Sequence, residues 1–116
     1  MAGKEPFTEE RPWGRFREFT LNEPVTVKIL TVDLGQEFSL QDHHKRIEFW
    51  HVLSGSPRIT IGEKVLDAKV GDEFWIPKDT HHRIEAPEND VDVLEISHGT
   101  FDESDVVRLE DKYGRI

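Results

Sequence analysis

The chain has 116 residues, with 15 Lys and Arg against 24 Asp and Glu for a formal net charge of -9, and it has no cysteine. That length suits one domain with one core, the charge argues against nucleic acid or an anionic membrane surface as a partner, and the missing thiols exclude disulfides and thiolate metal sites. No apolar run reaches the roughly 20 residues of a membrane span, and MAGKEPFTEERPW lacks the apolar core of a signal peptide, so a single cytoplasmic domain over residues 1–116 is expected.

In chain order, the first clear element is VTVKILTVDL (25–34), rich in β-branched residues and alternating with the period of a half-buried strand. Similar short runs follow at IEFWHVL, PRITIG, KVLDA, EFWIP, HHRIEA and VDVLEIS, separated by the turn-forming LGQ, SGSP, IGEK, KVGDE, PKD and PEND. Seven or more strands without a ten-residue helix predict an all-β sandwich or barrel. Only FDESDVVRLEDKYG (101–114) offers room for a helical turn. Trp13, Trp50, Trp75, Phe38 and Phe74 are expected as core or pocket-wall residues.

The chemistry concentrates in QDHHKRIEFWHVLSG (41–55). Gln41 and His43 are two apart and share a face of an extended strand, and a turn at residues 45–47 would return Glu48 antiparallel beside them. Glu48 also shares its face with Trp50 and Val52, and a carboxylate turned inward with them needs a cation. A second segment runs from Gly71 through Pro77 to His82. Together Gln41, His43, Glu48 and His82 offer the four N and O donors that a divalent metal takes. His44, His51 and His98 read as surface residues. Of the cations flanking these segments, Lys45, Arg46, Lys78 and Arg83, the two arginines suit paired phosphate oxygens best.

The two segments resemble the paired motifs of the cupin superfamily, G-x5-H-x-H-x(3,4)-E-x6-G and G-x5-P-x-G-x2-H-x3-N, with Gln41 in place of the leading His, Asp79 in place of the second Gly and Ala86 in place of the final Asn. RPWG, SLQ-x-HH-x-R-x-E-x-W, HR-x-E-x-P and the ending DVVRLEDKYGR extend the likeness to type II phosphomannose isomerase domains. That resemblance implies a double-stranded β-helix and a divalent metal, zinc foremost with manganese, cobalt, nickel or iron as alternatives. It further implies a homodimer and interconversion of mannose 6-phosphate and fructose 6-phosphate as a small sugar-phosphate substrate pair. Arg46 matches a motif arginine and, with Lys45, is the catalytic candidate; Arg83, His44 and Glu85 are the substrate-binding candidates, and His44, Lys45, His81 and Glu85 are all within reach as a base. The sequence departs from the family at Lys45 and Phe49, where histidines usually stand. Those departures keep two alternatives: a metal-binding cupin acting on another small substrate, and a non-catalytic sugar-binding module.

Overall fold

The computed structural model describes residues 5–100, 102 and 104–115. Among these there are eleven strands and no helix, and so none long and apolar enough to cross a membrane. The strands are β1 (Phe7–Arg11), β2 (Gly14–Glu18), β3 (Val25–Val32), β4 (Leu40–Asp42), β5 (Arg46–Ser54), β6 (Arg58–Ile61), β7 (Lys64–Asp67), β8 (Glu73–Ile76), β9 (His82–Glu85), β10 (Val91–Gly99) and β11 (Val107–Glu110). β1 and β2 form a hairpin, and the rest form a four-stranded sheet, β3-β10-β5-β8, and a five-stranded sheet, β11-β4-β9-β6-β7. Every pairing is antiparallel.

Each of the seven runs read from alternation is a strand. The chain also strands where alternation is silent. β1 and β2 read FTEER and GRFRE, charged on both faces, and Trp13 in the turn between them is 73% exposed rather than core. β11 occupies part of the segment in which a helical turn had room; Phe101 and Glu103 of that segment lie outside the described residues. Positive φ occurs in five of the expected turns, at Gly35, Gly55, Gly62, Gly71 and Asp79; Gly55, at φ 85, would place a Cβ 2.3 Å from the Asp90 carbonyl oxygen, so this turn admits no side chain. Asp79, standing where the cupin pattern has Gly, also takes the left-handed region at φ 58, which Asp tolerates better than most residues.

The inner faces of the two sheets meet in a core of Val32, Trp50, Val52, Ile59, Ile76, Ile84, Val91 and Val93, with Phe38 and Phe74 packed at its margin. Ile84 is fully buried, so Ile84→Ala is expected to cost about 2–5 kcal/mol in denaturant unfolding, from lost transfer energy and an unfilled cavity. The outer face of the four-stranded sheet is partly covered too. Phe49 points there, away from its neighbour Glu48, and is 2% exposed because its ring sits 5.9 Å from Phe19 and 5.2 Å from Trp75. His98 is buried beside Trp75 with Glu23 at 3.4 Å, and His51 Nδ1 pairs with Glu73 at 2.7 Å, so neither is the surface residue that local sequence suggests.

Candidate metal centre

β4 and β5 do not pair with each other. They lie in opposite sheets, and the donors converge across the core opening rather than from two neighbouring strands. Gln41 on β4 is the register partner of His82 on β9, while Glu48 projects from β5 on the facing sheet. His43, in the connection between β4 and β5, completes the group. His43, Glu48 and His82 are all buried, and one donor atom from each lies within 4.8 Å of the others. Glu48 Oε1 is 3.1 Å from His82 Nε2 and 3.6 Å from His43 Nε2. Donors around one ion at about 2.1 Å lie roughly 3–4 Å apart, so these positions suit a single divalent cation.

The surrounding bonds set which atoms face the centre. His82 Nδ1–H donates to the Thr80 carbonyl at 2.8 Å and His43 Nδ1–H to the Asp105 carbonyl at 2.5 Å, which leaves both Nε2 lone pairs directed inward. Arg46 Nη2, a donor only, reaches His43 Nε2 at 3.1 Å and requires the same tautomer. Glu48 Oε2 accepts from Arg46 Nε and Ser97 Oγ, each at 3.3 Å, whereas Oε1 is buried with no hydrogen-bond donor. Three electron-pair donors therefore face one another around an orphaned carboxylate oxygen, and this is the arrangement that a cation resolves. Gln41 sits beside them with its amide 3.5 Å from His43 Nε2 and its other amide atom bound by Ser39 Oγ at 2.6 Å; half a turn about the last side-chain bond exchanges the two atoms.

Charges within the group shift one another. Burial raises the Glu48 carboxyl, but its neighbours, His82 first and then Glu95 and His43, together hold the group down at about 2. Burial lowers His43, favouring its neutral, ligating form, against opposing contributions from the Asp105 carbonyl and Glu48. Glu95, on β10, shares the buried face: burial and then the Glu48 carboxylate push it up to about 7, although Trp50 Nε1–H donates to its Oε2 at 3.0 Å.

The centre opens into a cavity of about 250 Å³. Gln41, His43, Glu48, His82 and Glu95 line it with four cations, Lys28, Arg46, Arg108 and Arg115, and with Leu30, Phe38 and Val106. Of the cations flanking the histidine segments, only Arg46 reaches this cavity. His44 is exposed and pairs with Asp79, and Lys45 extends to Asp102 at 3.4 Å. Arg83 is held by the Phe38 carbonyl and Glu110, and Glu85 lies in a separate cleft with Glu37. The reason is that the chain does not stay extended past His43: residues 44 and 45 form a bend, so alternation fails to place them. Lys28, Arg108 and Arg115 come from β3 and the C-terminal segment, too far in sequence for local clustering to find. Lys28 does have a signal in hindsight, as a lone cation at an inward position of VTVKILTV.

Two antiparallel sheets enclosing a His-Glu-His centre define a cupin. Solved structures agree on the fold: a cupin protein from Bacteroides fragilis matches with TM-score 0.60, 24% identity and 71% of this chain covered against 70% of its own. The capsular polysaccharide assembling protein CapF from Staphylococcus aureus matches with TM-score 0.64, 21% identity, 90% of this chain and 34% of its own. The family model for the mannose-6-phosphate isomerase C-terminal domain matches residues 4–111, and the chain belongs to that family. Curated relatives include the mannose-1-phosphate guanylyltransferase ManC of Salmonella typhimurium, 38% identical over 91% of this chain, and the alginate biosynthesis protein AlgA of Pseudomonas aeruginosa, 36% identical over 90%. The chain spans 22% of the length of each.

Proposed function

We propose that this chain is a metal-dependent aldose-ketose isomerase that interconverts mannose 6-phosphate and fructose 6-phosphate. The observation that carries the reading is the joining, in one small cavity, of a buried His-Glu-His centre with four cations suited to a phosphate dianion. The two departures from the family pattern lie outside that cavity, since Phe49 fills the opposite face of β5 and Lys45 stands in solvent. Their replacement leaves the cavity's own groups intact.

A metal held by His43, Glu48, His82 and Gln41 would supply Lewis-acid stabilisation of negative charge on the sugar oxygens. The protein's own groups do the rest. Lys28 and Arg108 hold the phosphate and orient the open-chain sugar, joined by Arg115, whose guanidinium lines the cavity while paired with Asp111 at 2.8 and 2.9 Å. Arg46, fixed between His43 and Glu48, adds positive charge where an enediolate forms. Glu95 takes the C2 proton and returns it to C1, while the hydroxyl proton on O2 is lost to solvent and O1 takes one up from it. Among the described residues it is the one carboxylate lining the cavity outside the donor set, and burial raises it from the ordinary carboxylate range toward that of a base working at neutral pH. The guanylyltransferase named for several relatives has no counterpart in this reading.

Arg108→Ala and Arg115→Ala are each expected to raise the KM for mannose 6-phosphate about 10- to 100-fold, the cost of one charge-assisted hydrogen bond. Arg83→Ala should change it little. Steady-state kinetics on the three variants checks this. Conversion of mannose 6-phosphate deuterated at C2, followed by NMR, tests the reaction itself. Fructose 6-phosphate that has lost label from C1 to solvent supports the enediol route, full retention at C1 points instead to a hydride shift, and a metal-loaded protein that leaves the label and the sugar untouched contradicts the isomerase.

A further inference from the structure

In the segment that follows β10, the buried residue Asp105 bonds the His43 loop at three points, beside the exposed pair of Lys45 and Asp102. Asp105 is 7% exposed and does not line the cavity. Its Oδ1 accepts the backbone N–H of His44 at 3.0 Å, its Oδ2 accepts that of Lys45 at 2.9 Å, and its carbonyl accepts His43 Nδ1–H at 2.5 Å. Three successive residues of the loop are thus held by one. Three positions further on, Arg108 pairs in register with Gln41.

We propose that Asp105 is a positioning residue that fixes His43 in its metal-ligating tautomer and thereby sets the affinity of the centre; this rests on the reading of His43, Glu48 and His82 as metal ligands. The carboxylate and the carbonyl belong to the same residue, so the two bonds to the loop backbone hold the carbonyl at the imidazole. Without the carboxylate, two N–H groups lose their acceptor and the loop separates from the residue 105 carbonyl. His43 Nδ1–H is then unanchored, the Arg46 Nη2 contact at 3.1 Å is left to favour the same tautomer, and the Nδ1–H form loses population while the ring is held less tightly toward Glu48. The loop keeps an independent tie, because Asp79 N–H donates to the His43 carbonyl at 2.8 Å, so the effect falls on imidazole geometry more than on the fold. Partners of this kind typically change metal affinity by about 10- to 100-fold.

The test uses the full chain, stripped of metal, with zinc or cobalt affinity measured by competition against a chelating dye at a temperature well below melting. Asp105→Ala is expected to bind about 10- to 100-fold more weakly than wild type. Asp105→Asn, which keeps one acceptor oxygen, should fall between them. Asp72→Ala removes a similar carboxylate clip, to Lys69 N–H, far from the centre and should bind as wild type does. In parallel, 15N NMR of the metal-free proteins at mildly alkaline pH should show His43 protonated at Nδ1 in wild type and a tautomer mixture in Asp105→Ala. Unchanged affinity, or an unchanged tautomer, overturns the proposal. Should wild type bind neither metal, the ligand reading falls, and the tautomer comparison still decides the role of Asp105. If Asp105→Ala does not fold, Asp105→Asn carries both measurements.

Discussion

His82→Ala is expected to lose its bound metal and to lower turnover of mannose 6-phosphate by about a thousandfold or more, since a Lewis acid contributes several kcal/mol to such a step. The substitution also removes the first of the neighbours that hold Glu48 down, and its carboxyl then rises from about 2. His82 is 1% exposed, so its truncation also leaves a cavity, and metal-free His82→Ala should be measurably less stable in denaturant. The adjacent His81→Ala supplies the contrast. His81 is half exposed and faces Asp42 at 3.4 Å, outside the cavity. Elemental analysis should give wild-type metal content for His81→Ala and none for His82→Ala.

Glu95→Gln separates proton transfer from metal binding. The amide keeps the shape and the bond from Trp50 Nε1–H but cannot accept a proton at C2. A positioned base contributes about 10²–10⁴-fold, and kcat should fall by that factor while KM and metal content stay near wild type. The pH profile gives a second readout. Burial raises the Glu95 carboxyl while a cation at Glu48 lowers it, so wild-type kcat/KM should climb with pH as that carboxyl ionises, and Glu95→Gln should lose the climb. Replacing the bases suggested by sequence proximity, as in His44→Ala, Lys45→Ala or Glu85→Ala, is expected to leave kcat close to wild type, because none of them lines the cavity.

These contrasts show what a sequence can convey here. Strand alternation makes the sheets legible wherever one face is apolar, and it turns Glu48 inward with Trp50 and Val52, all of them buried. The two motif spacings point to His43, Glu48 and His82, which do lie together in one buried group, because each residue's place is fixed by its own strand and turn. Pairing is another matter. Gln41 and Glu48 are seven residues apart yet belong to opposite sheets, and no local pattern states that β4 joins β9 and β11 rather than β5. The hairpin of β1 and β2 and the strand β11 escape notice because charged residues occupy both faces or an apparent turn. Proximity to the histidines likewise points to Lys45 and Arg83, whereas Arg108 and Arg115, which line the cavity, arrive on a segment some sixty residues later. Glu95 hides in an apolar strand, VDVLEIS, where its inward register is plain only once Lys28 and Trp50 are seen to flank it.

The most direct measurement is a coupled assay for fructose 6-phosphate formation from mannose 6-phosphate, run on protein stripped by chelator and then titrated with zinc, manganese, cobalt, nickel or iron(II). The structure predicts negligible turnover in the stripped protein and recovery that saturates near one equivalent of a divalent ion, with Glu48→Gln failing to recover. Full turnover in stripped protein, or none at saturating metal in a protein that binds the ion, would contradict a metal-dependent isomerase.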